Sequence, residues 1–171
     1  MDLEELIVRQ RLHELTARFS RAADRLDAAA MEALFHPDAL VDSGVVCGRP
    51  DYFASEFVRW VRQNAHVIFH LVSSELFQVD GSRARGESYV LALSRLRAEF
   101  VNQSADVDVV TAGRYLDRFE RRQGEWKFTE RRFVLDYSMS RAAEGQPPDR
   151  SVAAEGRGGF APHDPSYGFW A

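Results

Sequence analysis

Cysteine is almost absent from this sequence of 171 residues. The single cysteine, Cys47, can form no internal disulfide, and with five scattered histidines it offers no cysteine-rich zinc spacing. His66 and His70 are four residues apart, as helical metal ligands often are, but they lie in a segment with a strand pattern. The sequence contains no nicotinamide or flavin signature. We therefore expect no metal and no cofactor, and the lack of disulfides fits a reducing compartment.

Long apolar runs are also missing. No stretch approaches the roughly 20 apolar residues that a helix needs to cross a membrane. The start of the chain, Met1 to Glu5, lacks the basic and apolar regions of a signal peptide. We expect no membrane association and a cytoplasmic location.

Neither sign of charge dominates. The 22 basic and 26 acidic side chains give a formal charge of −4, and the basic residues form no long stripe that could follow a phosphate backbone. Nucleic acid is therefore not an expected partner. Apolar residues are plentiful, because 45% of the chain is hydrophobic and 12% is aromatic. A chain of this length and composition can bury a core as one domain.

The first third of the chain has helical spacing. Apolar residues recur at intervals of three and four from Leu3 to Leu34, which predicts two helices. Asp27 is placed to cap the second helix, and His36-Pro37-Asp38 to end it. After a turn and capping signal at Gly48-Arg49-Pro50-Asp51, a third helix is expected from Tyr52 to Gln63.

From His66 onward the pattern changes to strands. β-branched and aromatic residues dominate four long segments, and a short hairpin precedes the third helix. The hairpin spans Ala39 to Val46, and the long strands are Val67 to Val79, Arg83 to Leu96, Val107 to Arg121 and Glu125 to Tyr137. This order predicts an α+β fold, with three N-terminal helices packed on one face of a curved, mainly antiparallel sheet.

The composition changes near the C-terminus. Residues 141–159 are rich in glycine, proline, alanine and charge, which predicts a flexible linker after a domain that spans residues 1–140. Four aromatic residues follow within residues 160–171. We expect this aromatic segment to dock, either on the pocket of its own domain or on a neighbouring subunit.

Asp24 and His70 are the first candidates for chemistry. Asp24 ends an apolar helical face, where it is either an exposed helix-end charge or a buried group with a partner. His70 lies within an apolar strand segment, where it is either a core histidine or a base. If the helices cover the concave face of the sheet, the two side chains can meet between the layers. A carboxylate there fixes the histidine tautomer and stabilises imidazolium, so the pair would act as a general base.

Arg131, Tyr89 and Tyr115 are further candidates. Arg131 alternates onto the same strand face as Phe133, where it is either a fixed cation in a cavity or a solvated arginine at a strand edge. Tyr89 and Tyr115 lie on neighbouring long strands, where they either donate hydroxyl protons or serve for packing.

Three pieces of the sequence resemble a known family. They are Phe19-Ser20-Arg21-Ala22-Ala23-Asp24-Arg25-Leu26-Asp27, Leu34-Phe35-His36-Pro37-Asp38-Ala39 and Gly124-Glu125-Trp126-Lys127-Phe128. With three N-terminal helices and a long antiparallel sheet, they make the region from Leu3 to Tyr137 similar to the SnoaL-like branch of the nuclear transport factor 2-like (NTF2-like) superfamily. The resemblance implies a cone-shaped α+β fold with a deep apolar pocket, as used by scytalone dehydratase, bile-acid dehydratase, hexachlorocyclohexane dehydrochlorinase and polyketide cyclases.

The resemblance also implies roles for individual residues. Several of these enzymes pair an aspartate on the first helix with a histidine on the first long strand, and Asp24 and His70 occupy the matching places. Arg131 matches an arginine on the last strand that assists the leaving group. Phe19 stands where some relatives have a catalytic tyrosine or lysine. This difference moves the role of proton donor to one of the two strand tyrosines or to Arg131.

These implications favour a cofactor-independent lyase that acts on a hydrophobic small molecule of aromatic, steroid-like or polyketide-like type. The predicted catalytic residues are Asp24, His70, Arg131 and Tyr89, and the predicted substrate-binding residues are Phe19, Tyr115, Trp60 and Phe133. The molecule eliminated is water or, from a lignin-derived diaryl compound, formaldehyde. The alternatives are an isomerase or cyclase that uses the same dyad, and a non-catalytic binding or assembly subunit.

The resemblance further predicts how copies of the chain associate. Folds of this kind usually bury one face of the sheet against a copy of themselves, so we expect a homodimer or homotrimer. The other expected partner is the hydrophobic small-molecule substrate.

Overall fold

The structure is a computed structural model that describes residues 2–144 and 157–170. Its elements in chain order are α1 (Leu3–Arg25), α2 (Ala28–Glu32), β1 (Phe35–Asp42), β2 (Cys47–Gly48), α3 (Pro50–Asn64), β3 (Ala65–Asp80), β4 (Arg83–Leu96), α4 (Ala98–Val101), β5 (Val107–Arg122), β6 (Glu125–Ala142) and α5 (Pro165–Phe169). No helix among the described residues is both long enough and apolar enough to cross a membrane.

The six strands form one sheet in the order β2-β1-β6-β5-β4-β3. The four long strands pair antiparallel with their chain neighbours, and β1 pairs antiparallel with the short β2. Three N-terminal helices, with the β1–β2 hairpin between the second and the third, and four long strands after them confirm the predicted α+β class. One pairing was not expected, because β1 lies parallel to β6 and connects the hairpin to the last strand.

The second helix is shorter than predicted. Asp27 caps it as expected, since its Oδ1 accepts a hydrogen bond of 3.0 Å from the backbone N–H of Ala30. The helix ends at Glu32, however, and His36-Pro37-Asp38 lies inside β1 instead of closing the helix. The expectation was wrong because two adjacent apolar residues, Leu34 and Phe35, can be buried either at the end of a helix or at the start of a strand.

The capping signal of α3 works differently from the expectation. Pro50 occupies the first position of the helix, where its missing N–H costs nothing, and the N-cap residue Arg49 makes no capping bond with its side chain. Asp51 lies in the first turn, where its charge complements the helix dipole.

The inner face of the sheet is covered by helices. Buried apolar residues of α1, among them Leu12, Leu15 and Phe19, form one core cluster with residues of α3 and of the sheet. β6 carries an irregularity opposite Gly113, where a Cβ atom would come within 2.7 Å of the Phe133 ring. Glycine at this position lets the ring of Phe133 lie against the backbone of β5, and the irregularity bends the sheet locally.

The outer face of the sheet carries exposed apolar side chains. They form two cross-strand rows, Phe69–Leu93–Val110–Met139 and Leu71–Leu91–Ala112–Tyr137. Leu71 and Tyr137 are more than half exposed. A contiguous apolar patch of this kind is unusual on a monomer and is typical of an interaction surface.

The C-terminal segment lies against the end of α1 in the same chain. The backbone N–H of Ala161 donates a 2.7 Å hydrogen bond to the carbonyl of Arg25, and the Arg25 Nε lies 3.0 Å from Asp164 Oδ1. Phe160 packs on a second core cluster that includes Leu26 and Ile68. Most of the predicted linker, residues 145–156, lies outside the described residues. The last strand extends to Ala142, past the predicted boundary of the domain at residue 140.

Candidate active site

Asp24 and His70 form a hydrogen-bonded pair at the interface between α1 and the sheet. The Nδ1 atom of His70 lies 2.6 Å from Oδ1 of Asp24, and the backbone N–H of His70 donates a 3.1 Å hydrogen bond to the other carboxylate oxygen. The carboxylate is buried and the imidazole is 15% exposed. The carboxylate therefore holds the ring with one oxygen and the backbone of His70 with the other. It is not the exposed helix-end charge that the sequence left open.

The positions of both residues follow from local structure. Asp24 is the penultimate residue of α1, which ends where Leu26 takes a left-handed conformation with φ of 54°. His70 lies in β3, whose inner-face residues alternate with outer-face residues such as Phe69 and Leu71. α1 crosses β3 here, so one end of the helix meets the imidazole.

His70 faces a chamber between the helices and the sheet. The chamber has a volume of about 250 Å³ and is not closed off from solvent. Its walls are mostly apolar, with residues from α1, α3, the β1–β2 hairpin and β3 to β6; they include Phe19, Ala23, Val41, Phe53, Phe57, Trp60, Val61, Ile68, Val90, Ala92, Leu96, Val109 and Phe133. Polar groups are few, and His70, Ser94, Thr111, Tyr115 and Arg131 are among them. Such a pocket fits an apolar molecule with a small number of polar substituents.

Arg131 lies in the chamber wall as a fully buried cation. Its Nε and Nη2 bind the two carboxylate oxygens of Asp117 at 2.9 and 2.7 Å. The guanidinium carbon lies 4.3 to 4.4 Å from the ring centroids of Phe19, Tyr115 and Phe128. Its Nη1 is buried and has no hydrogen-bond partner among the described residues. Arg131 is therefore held rigidly by Asp117 and the three rings, and it is not an arginine at a solvated strand edge.

Asp117 was missed in the sequence. It lies on β5 directly opposite Arg131 on β6, between the buried residues Tyr115 and Phe119 of the same strand face. Burial raises the pKa of the Asp117 carboxyl, and the charge and hydrogen bonds of Arg131 oppose that rise. A charged residue alternating with buried aromatics was the available signal, because such a residue requires a buried counter-ion.

Tyr115 also lines the chamber. Burial raises the pKa of its hydroxyl to about 12, and the neighbouring Arg131 charge only partly counters that effect. The hydroxyl therefore stays protonated at all ordinary pH values. A protonated phenol beside a fixed cation can donate a hydrogen bond to a developing negative charge.

Tyr89 does not lie in the chamber. It alternates with Val90 and Ala92, which line the chamber, and its side chain is 53% exposed on the outer face of β4. The structure thus separates Tyr89 from the other predicted catalytic residues. All four predicted substrate-binding residues, Phe19, Tyr115, Trp60 and Phe133, line the chamber.

The arrangement can perform proton abstraction coupled to departure of an anion. If Nδ1 of His70 carries its proton toward Asp24, Nε2 has its lone pair free, and no described residue forms a hydrogen bond with it. Tyr115 supplies a hydroxyl donor in the same chamber, and Arg131 places a fixed positive charge beside it. Among the described residues, no group of three or more histidine, cysteine or acidic side chains is arranged to hold a metal ion.

Comparison with known proteins identifies relatives. A family model described as "SnoaL-like domain" matches residues 4–132. The structure is similar to that of a hexachlorocyclohexane dehydrochlorinase, LinA type 2, over 87% of this chain and 99% of that chain, with 21% identity and a TM-score of 0.75. The LinA type 3 protein of Novosphingobium barchaimii LL02 has 21% identity and a TM-score of 0.75 over 86% of this chain and 99% of that chain.

A third similar structure comes from Novosphingobium aromaticivorans DSM 12444 and is provisionally described as a scytalone dehydratase. It has 18% identity and a TM-score of 0.67 over 87% of this chain and 97% of that chain. No protein with a curated description matches the sequence. These likenesses confirm the predicted NTF2-like fold.

Proposed function

Because the chain belongs to the SnoaL-like family, we propose that it is a cofactor-independent lyase that eliminates a small molecule from a hydrophobic, ring-containing substrate. The observation that carries this proposal is the His70–Asp24 pair, whose imidazole faces an apolar chamber with Nε2 free of any described partner. Neighbours described as a dehydrochlorinase and a scytalone dehydratase support an elimination.

His70 is the base in the proposed reaction. Its Nε2 takes a proton from the substrate carbon, and the electrons of that C–H bond form the new double bond as the leaving group departs with its bonding pair. Asp24 holds the Nδ1–H and stabilises the imidazolium that results. A positioned general base of this kind contributes on the order of 10² to 10⁴ in rate.

The departing group receives the negative charge. Arg131 offers a fixed positive charge in the chamber wall, and Tyr115 offers a hydroxyl that remains protonated because its pKa is about 12. When the leaving group is hydroxide, a proton from the imidazolium or from Tyr115 completes a water molecule. Tyr115 and the imidazolium thus take the role of proton donor that a tyrosine or lysine on the first helix has in some relatives, where this chain has Phe19.

Water is the first candidate for the molecule eliminated. Formaldehyde from a hydroxymethyl group of a lignin-derived diaryl compound is the second. The same free Nε2 then deprotonates that hydroxyl, and the oxygen electrons form the C=O bond of formaldehyde. The electrons of the broken carbon–carbon bond form a new double bond as an adjacent hydroxyl leaves as water with the proton from the imidazolium. Catabolism of aromatic compounds in the cytoplasm fits both possibilities, since aromatic side chains such as Phe53, Phe57 and Trp60 line part of the chamber and the chain has one cysteine.

Product analysis tests the proposal. The purified chain is incubated with hydroxylated bicyclic aromatics and with hydroxymethyl diaryl compounds, and the products are identified by mass spectrometry. A lyase forms two products, an isomerase or cyclase forms one, and a binding module forms none. We expect His70→Ala to abolish turnover and His13→Ala, which changes a half-exposed histidine paired with Glu75, to leave it unchanged. Equal activity in both variants would remove the basis for the proposal.

A further inference from the structure

The floor of the chamber, which is the part of its lining formed by the inner face of β4 and β5, carries two hydroxyl groups that the proposed reaction does not use. Thr111 on β5 and Ser94 on β4 both line the chamber. Both side chains are partly buried, and neither hydroxyl has a hydrogen-bond partner among the described residues. Around them the walls are apolar, with Val109 and Leu96 as neighbours in the lining.

Strand register places Thr111 across the floor from the base. His70 pairs with Ala92, and Ala92 pairs with Thr111, so the three residues form one cross-strand row on the inner face. Neighbouring strands are about 4.8 Å apart, which puts the backbone of Thr111 about 10 Å from that of His70. The methyl group of Ala92 between them leaves room for a ligand. Ser94 lies in the next inner-face row, which Ile68 and Val109 complete.

Unpartnered hydroxyls in a chamber of this kind affect which ligand fits. A hydrocarbon that displaces water from the floor leaves both hydroxyls without a hydrogen bond, which is unfavourable. A ligand with an oxygen at that end satisfies them. A site that hydrogen-bonds a substituent rejects the analogue that lacks it more strongly than an apolar wall rejects an extra group.

We propose that Thr111 and Ser94 form a subsite for a second oxygen substituent of the substrate, across the chamber from the group on which His70 acts. The substrate class is thereby a ring compound with oxygen at two separated positions, and not a hydrocarbon or a halogenated hydrocarbon without oxygen. This inference rests on the proposed function in taking the chamber as the substrate site.

Equilibrium binding tests the subsite without requiring turnover. Trp60 lines the chamber, and the chain has three tryptophans, so the variant W126F/W170F retains Trp60 as its sole tryptophan and fluorescence reporter. The probes are decalin, 2-decalone and decahydronaphthalene-2,6-dione, which share one ring skeleton and differ in oxygen count. We expect the dione to bind this variant more tightly than 2-decalone.

Substitutions then assign the preference to the two hydroxyls. In this background, Thr111→Val keeps the side-chain shape and removes the hydroxyl, Ser94→Ala removes the other, and Thr111→Ser is the control that keeps a hydroxyl. Each removal should reduce the preference for the dione over 2-decalone by about three- to tenfold. Decalin should bind at least as tightly as before, because it no longer leaves that hydroxyl without a hydrogen bond, and this retained affinity shows that the chamber is intact.

Two results would overturn the subsite. One is an equal affinity for the dione and for 2-decalone in the W126F/W170F chain, in which Thr111 and Ser94 are unsubstituted. The other is a dione preference that survives in the variant with both Thr111→Val and Ser94→Ala. If the W126F/W170F chain prefers the dione over 2-decalone but the unsubstituted chain forms no product in the product analysis, the lyase proposal is contradicted and the subsite is supported.

Discussion

The carboxylate of Asp24 and the imidazole of His70 lie 2.6 Å apart, although the two residues are 46 positions apart in the chain. One comes from the end of the first helix and the other from the first long strand. The same carboxylate also accepts the backbone N–H of His70, so the ring and the strand that carries it are held by one side chain. This contact ties the helical layer to the sheet at the point where the chamber presents its base.

Replacing Asp24 with asparagine should lower turnover strongly and leave the fold in place. A neutral amide keeps the shape but cannot offset the charge of an imidazolium, and we expect a loss of about 10² to 10⁴ in kcat. The measurement is steady-state kinetics on the substrate identified by product analysis. Asp51→Asn, on the exposed first turn of α3, is the control. A kcat for Asp24→Asn within a few-fold of the unsubstituted chain would contradict the assigned role.

Tyr115→Phe should slow the reaction by about 10²-fold, the loss typical of removing one donor to a developing anion. Because burial raises the pKa of this hydroxyl to about 12, it does not ionise in ordinary buffers. The ratio of the rate of the unsubstituted chain to the rate of Tyr115→Phe should therefore stay constant between about pH 6 and pH 10.

Tyr89→Phe provides the matched control for Tyr115→Phe, because Tyr89 lies on the outer face of the sheet. We expect no change in its rate. A large loss in Tyr89→Phe together with a small one in Tyr115→Phe would assign the role of proton donor to Tyr89, which the sequence left as one of three candidates.

Asp117→Asn should destabilise the protein. The substitution removes the counter-charge of the fully buried Arg131, and breaking a buried ion pair in this way costs about 3 to 5 kcal/mol. Urea unfolding followed by circular dichroism gives the free energy of unfolding. Glu130→Gln breaks an exposed pair with Arg118 and should cost less than about 1 kcal/mol. Similar losses in the two variants would mean that the Arg131 pair is solvated in solution.

Docking of the C-terminal segment should depend on pH through Asp164. Burial raises the pKa of this carboxyl, but hydrogen bonds from Ser166 and the Gly159 backbone, with the charge of Arg25, bring the pKa down to about 2. A lowered pKa in the docked state means that the stabilisation is present above the ordinary value of 3.8 and is lost as pH falls toward 2.

Hydrogen exchange of residues 157–170 measures this docking. Protection should hold at neutral pH, weaken between about pH 4 and pH 2, and be lost at neutral pH in Asp164→Asn. Asp136→Asn changes an exposed carboxylate paired with Arg114 on the sheet and is the control. Protection in Asp164→Asn equal to that of the unsubstituted chain would show that other contacts hold the segment.

The apolar outer face of the sheet should join copies of the chain as a homodimer or homotrimer. Leu91 and Leu93 lie at the centre of the two exposed rows on that face. We expect Leu91→Lys with Leu93→Lys to reduce the mass seen in sedimentation velocity to that of a monomer, because burying two charges in an apolar contact is unfavourable. Leu40→Lys on β1, at a similarly exposed leucine, should not change it. A monomeric unsubstituted chain would exclude this interface.

Local pattern was enough to predict the main elements. Helical spacing predicted α1 and α3, and alternation predicted the four long strands, because each of these segments has a periodicity that one type of structure satisfies. The short α2 and the start of β1 were less predictable, since Leu34 and Phe35 suit the buried end of either element. The parallel pairing of β1 with β6 joins distant segments and leaves no local signal.

Alternation along a strand also left one choice open in the candidate site. The sequence indicates that Tyr89 and Val90 lie on opposite faces of their strand, but not which face is covered by helices. The structure turns Val90 toward the chamber and Tyr89 away from it. For Asp117, the alternation with Tyr115 and Phe119 is visible in the sequence and is the signal that could have found it. The structure adds that this face of β5 is buried and that Arg131 is the partner.

What the sequence determined by itself is the kind of fold and the identity of the acid and base candidates, because periodicity, capping and composition act over a few neighbouring residues. Tertiary structure alone decided that Asp24 reaches His70, that Arg131 is held by Asp117 and that Thr111 faces the base across Ala92. These relationships depend on the crossing of a helix over a sheet and on strand register. The crossing and the register both arise from packing between segments that are distant in the chain. The local sequence of one segment does not indicate which other segment it contacts.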